Sequence, residues 1–182
     1  MSLWHRAERV PPLPAQVRAG LGLRRGERLL AHGGRPDGGW AIATTAAVVL
    51  VDPVEGPTPG PGTPSLRRLW HEVAEAGWDP DAEAVYIRWA DGGAGTTVQL
   101  IPPHGRFPEV LRERVMSTFV LSERIPVQGR RGVTVAVRRH AVNGSLFTQT
   151  VPDSGVNPSH EPVAEQVAAL TRDLCEQVGL RP

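Results

Sequence analysis

The chain contains no lysine. All 20 basic residues in the 182 positions are arginines. This absence excludes the chemistries that need a lysine amine: a Schiff base with a carbonyl substrate, the phosphate-binding lysine of a P-loop, and the lysine of a protein kinase. The formal net charge is only +1. The chain therefore has no overall positive field for nucleic acid, and anion binding would need a local cluster of arginines.

Cysteines, aromatic residues and long apolar runs are also scarce. The single cysteine, Cys175, has no partner for an internal disulfide, and its place beside Leu174 favours half-buried packing over a role as a nucleophile. No apolar run reaches the roughly 18 residues of a membrane span, and the N-terminal sequence MSLWHRAERV has no apolar signal core. These absences predict a cytoplasmic protein without a transmembrane segment. Aromatic residues make up 5% of the chain, which argues against nucleic acid as a partner.

The first third of the chain predicts a short helix followed by strands. Apolar residues recur every four positions over 13–21, which indicates a helix. Residues 26–32 are expected to form a first strand, and β-branched residues without helix caps favour strands over 39–45 and 46–52. Residues 52–65 hold five prolines and three glycines and predict an exposed, mobile loop.

Residues 66–79 fit two structures. Leu66, Leu69 and Val73 fit the apolar stripe of a helix, whereas the break at Gly77 fits a strand with a bend. Alternation of apolar and polar residues predicts strands further on. After these strands, apolar residues recur every four positions, and this repeat predicts a helix. The two strands cover 83–89 and 96–101, and the helix carries Phe107, Leu111, Val115 and Phe119 on one face.

The last third predicts a hairpin and a helix. Asn143-Gly144 stands between two runs rich in β-branched residues, and this dipeptide is the strongest short hairpin signal. An apolar repeat from Val163 to Val178 predicts a helix. Ser159 is the expected cap at its start, and Gly179 is expected to end it.

Several of these segments together resemble bacterial PH-like domains of the GRAM type. The resemblance rests on a Gly-Trp that opens a strand, a threonine before the next strand and a D-G turn between late strands. It covers roughly residues 26–121, from GERLLAHGG through LWHEVAEAGWD and AVYIRWADGG to the helix FPEVLRERV. It implies an α+β fold with a bent antiparallel sheet or small barrel capped by a helix, and it favours strand and bend over 66–79.

The resulting organisation has three parts. An N-terminal extension with a short helix covers 1–25, a PH-like domain covers 26–122, and a hairpin-plus-helix extension packed on the same domain covers 123–182. PH-like domains that hold phosphoinositides present several basic residues around the first strand turn. Here that turn is GGRPDGG, in which Asp37 opposes Arg35, so the departure argues against a lipid head-group site at this turn.

Two motifs suggest chemistry but are incomplete. The run VVLVD ends at Asp52 like a magnesium-binding Walker B strand, yet the chain has no GxxxxGK[ST] loop, and Asp52-Pro53 fits a loop entry. The sequence HEVAE approaches the zinc-binding pattern H-E-x-x-H, with Glu75 in place of the second histidine. A metal-dependent hydrolase that uses His71, Glu72 and Glu75 is therefore one alternative, although no third ligand is apparent.

Arginines cluster around the predicted hairpin. The candidate residues for binding an anion or an acidic partner are Arg130, Arg131, Arg138 and Arg139, and Arg124 could extend the set. Strand alternation should send the side chains of Arg138 and Arg139 to opposite faces. Arginine suits such a site because its guanidinium donates two parallel hydrogen bonds to one oxyanion.

These observations favour a non-catalytic binding or scaffolding protein, with a protein partner or a second copy of itself. No cofactor or metal is implied. A metal-dependent hydrolase and an anion or lipid head-group binder are the alternatives, the second with a membrane surface as its possible partner.

Overall fold

Three antiparallel sheets and three helices form the described part of the protein, and the α+β class is confirmed. The computed structural model describes residues 10–53 and 62–181. Within them no sheet closes into a barrel, so the small-barrel alternative is wrong. The helices are α1 (Ala15–Gly20), α2 (Phe107–Met116) and α3 (Val163–Val178). The strands are β1 (Leu29–Gly34), β2 (Trp40–Thr44), β3 (Ala47–Val51), β4 (Pro64–Leu69), β5 (Val73–Asp79), β6 (Ala84–Trp89), β7 (Thr96–Gln99), β8 (Phe119–Gln128), β9 (Arg131–Arg139) and β10 (Leu146–Pro152).

The strands are ordered β1-β2-β3-β4, β5-β6-β7 and β10-β9-β8 in the three sheets. Contacts divide the chain into two compact units. The first comprises the described residues of Met1–Arg68, Gly77–Val85 and Thr97–Leu111. The second comprises those of Leu69–Ala76, Tyr86–Thr96 and Arg112–Pro182. Most of the predicted 52–65 loop lies outside the described residues, and its last two residues begin β4.

In the first unit, the glycine-rich sequence GGRPDGG turns the chain from β1 into β2. Gly38 has φ +86°, a conformation that favours glycine. The Asp37 carboxylate accepts a hydrogen bond from the Gly39 N–H at 2.9 Å. Arg35 donates to Asp37 and, at 2.9 Å, to Asp52, and the hydrogen bond from Arg35 lowers the pKa of Asp52 below its ordinary value. Asp37 and Asp52, the aspartate of the Walker B-like run, are therefore both bound by Arg35.

Residues 66–79 follow the strand-and-bend prediction, and the helical alternative is wrong. The chain makes a single 3-10 turn over Trp70–Glu72 between β4 and β5. The Trp70 and Val73 side chains are fully buried. The Glu72 carboxylate accepts a hydrogen bond from the Leu69 N–H at 2.6 Å, which fixes the start of this turn.

The helix predicted to reach Phe119 ends three residues earlier, because α2 stops at Met116. The Ser117 hydroxyl donates to the Arg114 carbonyl at 2.7 Å, and the Thr118 hydroxyl donates to the Val115 carbonyl at 2.6 Å. These bonds satisfy two carbonyls that the helix end leaves free. Phe119 instead opens β8, a ten-residue strand that the sequence did not indicate and that runs through the predicted domain boundary at 122.

The predicted hairpin is confirmed, and β9 is the central strand of its sheet. Its partners are β10 and the unexpected β8, both antiparallel. The connection between β9 and β10 runs from His140 to Ser145, with Gly144 at φ +74°. The His140 N–H donates to the Ser145 carbonyl at 2.8 Å and so closes this loop.

Helix α3 begins after Pro162 and ends at Gly179, which has φ +67° as its predicted role requires. The predicted cap at Ser159 is wrong, because the Ser159 N–H bonds to the Asn157 side chain in a turn before the helix. Cys175 is fully buried, not half-buried. No helix of the described residues is long and apolar enough to cross a membrane.

Candidate functional site

Two adjacent arginines end β9, and strand alternation separates their side chains as predicted. Arg138 has no solvent exposure, whereas Arg139 is exposed. The Arg139 N–H donates to the Thr118 carbonyl at 2.7 Å, which fixes the end of β9 beside the segment that joins α2 to β8. Arg138 is therefore an interior residue and does not contribute its guanidinium to a surface patch.

The Arg138 guanidinium is surrounded by neutral acceptors. One terminal nitrogen donates to the Gln149 side-chain oxygen at 2.8 Å and to the Val73 carbonyl at 3.1 Å. The other donates to the Trp70 carbonyl at 3.1 Å. Nε donates to the Thr118 hydroxyl at 3.1 Å. One side chain thus joins the 3-10 turn, β5, β10 and the end of α2.

None of these hydrogen bonds joins the Arg138 guanidinium to a carboxylate. Its remaining neighbour is the Phe119 ring, whose centre lies 3.9 Å from the guanidinium carbon, a cation–π distance. Burial lowers the pKa of Arg138 to about 10, so the group is still protonated at neutral pH. The second unit therefore contains a buried positive charge that dipoles and an aromatic face stabilise.

A cleft of about 500 Å³ opens beside this charge, and we call it the Arg139 cleft. It has two arginines, a histidine, two hydroxyl groups and an amide in its wall, and no aspartate or glutamate. Thr118 belongs both to the wall and to the hydrogen bonds of Arg138. The lining residues are Arg114, Ser117, Thr118, Arg139, His140, Ala141, Val142, Asn143 and Gly144.

Two histidines with neighbouring, tilted rings hold one wall of the Arg139 cleft. The rings of His71 and His140 lie 4.2 Å apart between their centres. Nδ1 of His71 accepts a hydrogen bond from the Ala141 N–H at 3.2 Å, and Nδ1 of His140 accepts one from the Val142 N–H at 3.3 Å. Both bonds require an unprotonated Nδ1. The loop that lines the cleft is therefore attached through Nδ1 of each of the two imidazoles.

Protonation of His71 should destabilise the fold. Burial, the neighbouring His140 and Arg138 lower the pKa of His71 below 6.5, against the opposite effect of Glu72. The unfolded chain then binds the proton more readily than the folded chain, so stability is full above pH 6.5 and falls as the pH drops toward the folded-state pKa. We expect a smaller free energy of unfolding in urea at pH 5.5 than at pH 7.5. The variant His71→Phe should show a weaker pH dependence, and an unchanged dependence would contradict this role.

The residues of the metal alternative have separate partners. Glu75 pairs with Arg88 at 3.2 Å, Glu72 binds the Leu69 N–H, and His71 belongs to the histidine pair. Among residues 10–53 and 62–181, no group of three or more His, Cys, Asp or Glu side chains is placed to hold a metal ion.

The predicted arginines do not form one patch. Arg130 and Arg131 are exposed at the start of β9, whereas Arg139 ends it, and nine strand residues separate the ends by roughly 26 Å. Near the start, Arg124 pairs with Asp153 and donates to the Arg130 carbonyl at 2.8 Å. The structure therefore brings Arg139 to the cleft without Arg130 and Arg131.

Sequence reasoning missed the cleft residues that lie before β9. Arg114 and Ser117 were expected inside a continuous helix, and nothing in the sequence linked them to the hairpin. The triplet Arg138-Arg139-His140 was the one usable signal, because it put two cleft residues next to each other. No protein-family profile matches the chain, and no curated protein has a matching sequence.

Proposed function

We propose that the protein is a non-catalytic binding module that holds an acidic group of a partner protein in the Arg139 cleft. The observation that supports this proposal is a cleft lined by Arg114, Arg139 and His140 and by no acidic residue. An exposed arginine can donate two parallel hydrogen bonds to a single carboxylate. The side-chain amide of Asn143 adds donors along the same wall.

The buried Arg138 strengthens the case. Its charge lies behind Thr118, which is part of the cleft wall. Neutral acceptors do not cancel a charge, and a low-dielectric surrounding screens it less than water does. Its field therefore favours a negative ligand at the cleft, in the same way that charged clefts concentrate ligands of opposite charge.

We also propose a PH-like domain over residues 26–121. The succession of a four-stranded sheet, a three-stranded sheet and helix α2 supports it. A binding role agrees with this architecture, although the Arg139 cleft includes residues beyond position 121.

A labelled glutamate-rich peptide provides the test. At low ionic strength, Arg139→Gln should weaken its binding to the purified protein about tenfold, a loss of about 1.4 kcal/mol. The matched control, Arg131→Gln at the other end of β9, should bind as the unmodified protein does. Fluorescence anisotropy at two salt concentrations measures both, and affinity should fall at the higher concentration.

Three results would overturn the proposal. The first is an absence of peptide binding. The second is equal affinity of Arg139→Gln and the unmodified protein. The third is binding to anionic vesicles that depends on Arg139 while the peptide does not bind, which would assign the cleft to a membrane surface.

A further inference from the structure

A second depression, which we call the Met116 groove, lies beside the last turn of α2. Its volume is about 240 Å³. The lining residues are Ala74, Glu75, Ala76, Arg112, Val115, Met116, Phe119 and Ser122, and most of them are apolar. Met116 is 59% exposed, the largest exposure among the large apolar residues of the described chain.

The Met116 groove and the Arg139 cleft lie on opposite sides of the same stretch of chain. Helix periodicity puts Arg112, Val115 and Met116 on one face of α2. Arg114 and the following Ser117 point to the other face, toward the cleft. A ligand that crosses the end of α2 therefore meets a basic cleft on one side and an apolar groove on the other.

Arg138 connects the two depressions. Its guanidinium bonds to Thr118 in the cleft wall and lies over the ring of Phe119 in the groove wall. Thr118 and Phe119 are consecutive residues, and the buried arginine fixes both. The spacing between cleft and groove is thus set by the contacts of one buried side chain.

We infer that the partner segment carries an acidic residue for the Arg139 cleft and, a few residues away, a large apolar side chain for the Met116 groove. This inference rests on the proposed function and adds the class of partner to it. Met116 suits such a role, because its unbranched, polarizable side chain adapts to different apolar groups. Removal of an apolar side chain from water would add affinity that charge alone does not provide.

The charges beside the groove favour a peptide over a lipid chain. Arg112 and Glu75 stand among its apolar residues, and Glu75 already has Arg88 at 3.2 Å as its ion-pair partner. Polar groups at the edge of an apolar site can bond to the backbone of a bound segment, whereas an acyl chain offers them nothing. Complementarity with the basic cleft also calls for a ligand that is acidic at one end.

Two peptides of equal charge test the inference. Each carries the same glutamates, and one has leucine where the other has serine. The unmodified protein should bind the leucine peptide about tenfold more tightly. In Met116→Ser this preference should fall below about threefold, with the affinity for the serine peptide unchanged, while Arg139→Gln should weaken both peptides.

Val127→Ser is the matched control, since Val127 is 40% exposed on β8 and lies outside the groove. It should retain the tenfold preference. Two results would show that the two-part segment is wrong while the proposed function stands. In the first, Arg139→Gln weakens binding but the leucine peptide binds no more tightly than the serine peptide. In the second, Met116→Ser keeps the tenfold preference for the leucine peptide. If neither peptide binds, the proposed function fails first. A dimer in sedimentation velocity that Met116→Ser dissociates would assign the groove to a second copy and overturn the inference.

Discussion

Arg138→Ala is expected to lower the free energy of unfolding by about 3 to 5 kcal/mol. The substitution removes the hydrogen bonds that this guanidinium donates to the Gln149 side chain and to the Trp70 and Val73 carbonyls. The Trp70 carbonyl keeps the Val73 N–H as a donor. A buried acceptor that is left without a partner costs about 1 to 3 kcal/mol, and the truncated side chain also leaves a cavity. Urea unfolding followed by far-UV circular dichroism measures the loss.

The adjacent Arg139→Ala is the control for this experiment. Its side chain is exposed, so the stability should change by no more than about 0.5 kcal/mol. Arg138→Lys should fall between the two, because an ammonium keeps the charge but cannot reproduce the fork of donors. Equal stabilities of Arg138→Ala and Arg139→Ala would show that the buried hydrogen bonds are not a major source of stability.

Local patterns predicted the parts of this fold that depend on neighbours in sequence. Alternation over 83–89 gave the buried face of β6, and the same rule separated Arg138 from Arg139. Asn143-Gly144 gave the hairpin, and Gly179 gave the end of α3. In each case the structure follows from an apolar period or from the conformation of a turn residue, so a few neighbouring residues are sufficient to predict it.

The surroundings of Arg138 could not be predicted in this way. Its acceptors come from four segments, and Trp70 lies 68 positions from it in the chain. An arginine in a strand carries no sequence mark that distinguishes a buried guanidinium from an exposed one. Only the pairing of β9 between β8 and β10 puts that side chain in the interior.

The error at the end of α2 has a physical cause. Phe119 continues the four-residue repeat of the helix, yet it occupies the first position of β8. Ser117 and Thr118 end the helix by bonding back to its carbonyls, and hydroxyl residues compete with helices in this manner. The Arg139 cleft forms at this change from helix to strand, which explains why the lining residues Arg114, Ser117 and Thr118 were missed.

Leu174→Ala should destabilise the protein by about 2 to 5 kcal/mol. Leu174 is 1% exposed and packs with Ile125, Val135 and Val137, so the substitution leaves a cavity between α3 and the sheet. The control is the same substitution at Leu30, which is 41% exposed and should cost less than about 1 kcal/mol. Urea unfolding compares the two variants. A loss at Leu174 no larger than at Leu30 would mean that α3 does not support the sheet. With the expected loss, the folded variant should still bind the glutamate-rich peptide, since Leu174 packs on β8 and β9 but lies outside the lining of the Arg139 cleft.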